Sequence, residues 1–98
     1  MSAKPNRAFS RAELFPNGTT ANEAGHLIIG ECDVSALAAE YGTPLYIYHE
    51  DTIRDTCSEY LHSFQSRLPE ARVLYAAKAY LSPALAGLLS DTGIGMDV

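Results

Sequence analysis

Lys78 is the only lysine outside the first ten residues, and it follows Val73-Leu74-Tyr75-Ala76-Ala77, a run with the apolar, β-branched and aromatic character of a buried strand. Ala79-Tyr80-Leu81 continue that character on its far side. Desolvation in such surroundings favours the neutral amine, and a neutral amine condenses with carbonyl groups. Strand alternation puts Leu74, Ala76 and Lys78 on one face, where the small Ala76 leaves room for a flat ring beside the amine. Asp97 occupies the matching position near the end of the next apolar segment, and its carboxylate could orient the ammonium. The same two residues also read as a strand-end lysine with its stem laid along apolar surface and Asp97 as an ordinary ion-pair partner. Residue chemistry alone favours the plainer of these readings.

The other reactive side chains form no pattern. His26, His49 and His62 give neither HxH nor HExxH spacing, so no metal site is expected. Cys32 and Cys57 lack CxxC or Cys/His ligand spacing, and both read as reduced, structural thiols.

The elements that must position Lys78 are legible from periodicity and punctuation. Residues 1–13 are polar and basic, which predicts a poorly ordered terminus. Asn17-Gly18 predicts a hairpin turn and His26-Leu27-Ile28-Ile29 a short strand. Asp33 is placed to cap a helix through Val34, Leu37 and Ala38, with Gly42 as its stop. After the turn Gly42-Thr43-Pro44, Leu45-Tyr46-Ile47-Tyr48 reads as a strand covered on both faces. Thr52 then caps an amphipathic helix whose apolar stripe is Ile53, Cys57, Tyr60, Leu61, Phe64 and Leu68, ended by Pro69. The strand Val73–Ala77 follows, then Ser82-Pro83 at the start of a helix with Leu85, Leu88 and Leu89 inward and Gly93 as its stop. A third strand begins near Gly95.

Strands and helices alternating at this spacing form βαβ units with parallel strands, so the fold class is α/β. Both a doubly wound sheet and an eight-stranded (β/α)8 barrel accommodate the pattern, and chemistry in either sits at the C-terminal ends of the strands. His49-Glu50-Asp51-Thr52, the first strand-to-helix turn, has no glycine-rich fingerprint, which removes the main support for a dinucleotide site.

With 98 residues the chain can form a small core, and 47% hydrophobic against 19% charged residues marks it as globular. A formal charge of −5 with scattered basic residues argues against a nucleic-acid partner. Neither a signal peptide nor a membrane span is present in the pattern, and a cytoplasmic protein is expected.

Three segments carry a family resemblance. Gly42-Thr43-Pro44-Leu45-Tyr46-Ile47-Tyr48, followed by Asp51-Thr52-Ile53-Arg54, resembles the opening of the barrel in diaminopimelate decarboxylases, pyridoxal-phosphate enzymes of the alanine-racemase-like type. Val73-Leu74-Tyr75-Ala76-Ala77-Lys78-Ala79 resembles their cofactor-lysine motif, and Gly93-Ile94-Gly95-Met96-Asp97-Val98 the segment leading into their third strand. The resemblance runs from about Leu14 to Val98. It implies that Lys78 holds pyridoxal 5'-phosphate covalently and that Ala76 and Asp97 line the cofactor site. It implies decarboxylation of meso-2,6-diaminopimelate to L-lysine, a small amino-acid substrate, and a homodimer of the full-length protein.

On the same basis residues 1–42 are a leader belonging to a β-rich domain, and 43–98 are the truncated start of a pyridoxal-phosphate-binding (β/α)8 barrel. Such a barrel takes about 250 residues. The phosphate cradle and the carboxylate for the pyridine nitrogen would therefore come from later segments, and this piece alone is expected to be inactive. His49 stands where an acidic residue is common in the family, and Tyr80 where many members have asparagine. Ornithine, arginine and carboxynorspermidine decarboxylases share the pattern. A racemase or a small non-catalytic cofactor-binding homologue shares the strand lysine but usually begins close to its first barrel strand. A structural piece without cofactor would place no demand on Lys78.

Overall fold

In the computed structural model, which describes residues 11–98, the chain separates into two units, Met1–His49 and Glu50–Val98. The first ten residues of the expected disordered terminus lie outside those described. Ala12–Leu14 form a turn of 3-10 helix, so order begins earlier than the polar composition of residues 1–13 suggested.

Asn17-Gly18 does make a turn, with the Thr19 amide donating to the Pro16 carbonyl at 3.1 Å. It leads into a strand instead of joining two. The antiparallel sheet of this unit has three short strands in chain order, β1 (Thr20–Ala21), β2 (Leu27–Ile29) and β3 (Cys32–Asp33). Its hairpins turn at Asn22–Gly25 and at Gly30-Glu31. In the second, Gly30 and Glu31 have φ of 55° and 65°. Two central residues with positive φ match the right-handed strand twist, and glutamate in that position hides the turn from a reading by residue type. Cys32 on β3 is a free, exposed thiol, whereas Cys57 is free and buried.

Asp33 ends the sheet and starts α1 (Val34–Tyr41). Its Oδ1 accepts from the amides of Ser35 at 2.8 Å and Ala36 at 3.2 Å, satisfying two donors that the first helical turn cannot. Its Oδ2 accepts from His26 Nδ1 at 2.9 Å and Asn22 Nδ2 at 3.4 Å. One carboxylate thus ties the β1–β2 connection to the helix start. The hydrogen bond from His26 is the main reason the Asp33 carboxyl titrates below the usual carboxylate range. Gly42 closes α1 as expected, with φ of 84° and its amide donating to Ala38.

Leu45–Tyr48 form no strand, contrary to their composition. A ladder belongs to two segments, and an apolar run supplies only one of them. Nor are these residues covered on both faces: Tyr46 is 84% exposed.

The second unit opens with α2 (Glu50–Gln65), which begins two residues before the expected cap at Thr52. Glu50 and Asp51 occupy the first turn, where negative charge suits the helix dipole, and Arg54 Nε donates to Glu50 Oε2 at 3.0 Å one turn on. After α2 come β4 (Leu74–Ala76), α3 (Pro83–Thr92) and β5 (Gly95–Asp97). Ser82 caps α3 through its hydroxyl, Pro83 takes the first helical position, and Gly93 ends the helix in the left-handed conformation at φ 86°. β4 and β5 pair in parallel with Leu74 opposite Gly95 and Ala76 opposite Asp97. This is the expected α/β arrangement, with α3 as the crossover.

The core of this unit is Cys57, Leu89 and Ile94, packed by Ile53, Leu61, Val73, Tyr75 and Leu85. Only one side of the strand pair is covered. Tyr75 lies on that side, while Leu74 is 59% exposed, so β4 is not buried on both faces as its composition implied. Tyr60 and Phe64 are exposed too and stack on each other, and α2 ends at Gln65, short of the expected stop at Pro69, so that Leu68 lies past the helix and is exposed.

Leu89→Ala empties the centre of a very small core and should destabilise the unit by about 3 kcal/mol in thermal melts, whereas Leu74→Ala should stay within about 0.5 kcal/mol. Asp33 is held below its ordinary pKa of about 4, so its contribution to stability is complete above that pH and is lost as pH falls through the lowered folded value. Asp33→Asn should weaken α1 and flatten this acid dependence, read by circular dichroism across pH 2 to 6, a range chosen about the ordinary carboxylate pKa.

Candidate functional site

Parallel pairing brings the ends of β4 and β5 together, and the three residues singled out from the sequence gather there. Ala76 and Asp97 are direct partners in the register. The pairing extends by one bond, from the Ala77 amide to the Asp97 carbonyl at 3.1 Å. The chain then leaves the strand in a turn closed by the Ala79 amide donating to the Ala76 carbonyl at 3.2 Å. Lys78 sits within this turn, two residues beyond the strand end.

Two further ties define the segment. Tyr75, in β4, donates its hydroxyl proton to the Tyr80 carbonyl at 2.6 Å, spanning the turn from outside. Downstream, Ser82 Oγ accepts from the Leu85 amide at 3.2 Å, and the Ser82 carbonyl accepts from the Ala86 amide at 2.9 Å. The loop carrying Lys78 therefore runs between a strand end and a capped helix start, with a tie across its middle.

Lys78 is exposed, as are Ala79, Tyr80 and Leu81. The apolar neighbours thus do not desolvate the amine as their residue types suggested, because the turn carries it off the sheet. Asp97 is exposed at the end of β5, and no ion pair joins it to Lys78, so the ordinary ion-pair reading has no support in the geometry. Tyr75 was legible from the sequence only as a strand residue. Its tie depends on a main-chain acceptor five positions away, which leaves no signature in residue type.

The amine and its surroundings suit a carbonyl cofactor in one respect. Lys78 supplies an accessible primary amine, Ala76 is small and exposed, and Asp97 offers a carboxylate from the neighbouring strand end. A cavity of about 240 Å³ also borders Ala76, lined by Thr56, Cys57, Tyr60 and Tyr75 among others. Its lining carries no charged side chain and does not suit a phosphate. The α3 N-terminus is already capped by Ser82. The fit extends to the covalent anchor and stops there.

No helix among the described residues is long and apolar enough to cross a membrane. No family model matches the chain. Curated relatives do. The chain is 40% identical over 86 residues to a diaminopimelate decarboxylase of Synechocystis, a match covering 87% of this chain and 18% of that protein. The namesake of Bacillus subtilis is 41% identical over 86 residues, covering 87% and 20%. That of Methanothermobacter thermautotrophicus is 38% identical over 84 residues, covering 86% and 19%. The chain spans about a fifth of the length of the curated relatives it matches. What lies outside these matches is too short to reach Lys78 from either end of the chain. Over most of its length the chain is therefore similar in sequence to diaminopimelate decarboxylases from several organisms.

Proposed function

We propose that the chain carries the cofactor-lysine segment of an enzyme that decarboxylates meso-2,6-diaminopimelate to L-lysine with pyridoxal 5'-phosphate, in lysine biosynthesis. The observation that carries this reading is the 40% identity to a protein of that name over a stretch that includes Lys78. The position of Lys78 past the C-terminal end of a parallel strand supports it, since that edge is where α/β folds assemble chemistry.

In this reading Lys78 would hold the cofactor through its amine, Asp97 would offer a carboxylate to orient that amine, and Ala76 would leave space for the ring. The cofactor, when bound, supplies an electron sink for bond cleavage at the α-carbon of the amino acid. Because Lys78 is exposed here, water must be excluded by groups other than its own strand and turn.

The same reading assigns residues 1–42 to a β-rich domain and 43–98 to the opening of a (β/α)8 barrel. The antiparallel strands of the first unit and the parallel β4–α3–β5 unit of the second are the features that support the division. It further takes the working protein as a cytoplasmic homodimer with a small amino-acid substrate and no nucleic-acid or membrane partner. The 98 residues by themselves are not expected to turn substrate over.

Incubation with pyridoxal phosphate, reduction with borohydride and peptide mapping should place the adduct on the peptide containing Lys78 in preference to Lys4. Labelling of Lys78 no greater than that of Lys4 would sink the cofactor assignment. In a protein of the relatives' full length, Lys78→Ala should lower kcat by at least about a thousandfold, the scale of losing a covalent catalytic group, with the fold intact. Asp97→Asn should keep the β4–β5 pairing, because Asp97 pairs through its main chain, while lowering turnover.

A further inference from the structure

We infer that Tyr75 is a positioning residue for Lys78, acting through the hydrogen bond from its hydroxyl to the main-chain carbonyl of Tyr80. The inference rests on the reading of Lys78 as the cofactor lysine, and it adds a residue that this reading does not name.

The Tyr75 ring is half-buried and packs against the core formed by Cys57, Leu89 and Ile94. Phenylalanine would fill that space equally well, so packing does not account for the hydroxyl. The hydroxyl reaches Tyr80 at 2.6 Å, and the bond encloses residues 76–79, with Lys78 among them. Other ties of the loop run from the Ala77 amide to the Asp97 carbonyl, from the Ala79 amide to the Ala76 carbonyl, and from Ser82 to the start of α3. Tyr75 links the core directly to the segment that follows the lysine. It does so from the helix-covered face of β4, which leaves the face of Ala76 open for a ligand. Because the acceptor is a main-chain carbonyl, the side chain at position 80 is free to vary without breaking the strut.

Tyr75→Phe keeps the ring and removes only the tie. In hydrogen exchange on the 98-residue chain, the Ala79 amide of this variant should exchange about fivefold faster, the factor corresponding to one net hydrogen bond. The Ala77 and Gly95 amides, which hold the β4–β5 pair, should exchange as before. The ratio of borohydride-trapped pyridoxal-phosphate label on Lys78 to that on Lys4 should fall toward unity. Unchanged Ala79 exchange would overturn the proposal, and so would acceleration of all these amides together, which marks a general loss of stability. Nuclear Overhauser contacts from the Tyr75 ring to Tyr80 in the unsubstituted chain test the strut without any variant, and their absence would overturn it as well. Should the unsubstituted chain show no preference for Lys78 over Lys4, the cofactor reading fails on its own, and the exchange data still decide whether Tyr75 holds the loop.

Discussion

Parallel pairing between two three-residue strands is the constraint on which the rest of the candidate site depends. Antiparallel neighbours can be joined by a tight turn, but parallel ones require the chain to cross back over the sheet, and α3 is that crossing. The capped start and left-handed stop of α3 fix where it begins and ends. Its inward leucine, Leu89, packs with Cys57 of α2 and with Ile94, just ahead of β5. Through these contacts Ala76 and Asp97 become neighbours although they lie far apart in the chain.

The exposure of this unit follows from the same geometry. Parallel sheets are ordinarily covered on both faces. Here the helices cover the face that bears Tyr75, and Leu74 on the other face remains exposed. Lys78 shares that openness, so an amine that its neighbours in sequence would shelter stands in solvent.

The first unit solves a different problem with a single side chain. Three very short strands bury little, and an eight-residue helix is marginal in isolation. Asp33 joins them because its two oxygens face two ways, one toward the helix amides and one toward His26 and Asn22. The ionised carboxylate accepts all of these bonds at once, which couples sheet and helix to its charge state.

Much was determined by the sequence itself, wherever the physics is local. The Asp33 and Ser82 caps, the glycine stops at Gly42 and Gly93, the amphipathic α2 and the succession of strand, helix and strand from Val73 to Val98 all depend on residues within one or two helical turns. The lysine could be singled out for the same reason, since its type and apolar flanks are local. Tertiary structure decided the rest, because it required partners distant in the chain. Leu45–Tyr48 had the composition of a strand but no ladder; Tyr60 and Phe64 had helical spacing but stayed exposed, and Leu68 fell past the end of α2. The Gly30-Glu31 turn depended on backbone dihedrals that glutamate does not advertise, and the register that set Asp97 beside Ala76 arose from packing of α3. Whether Lys78 was sheltered or exposed, and that Tyr75 reached across to Tyr80, turned on the path of the chain after β4, which only the folded structure determines.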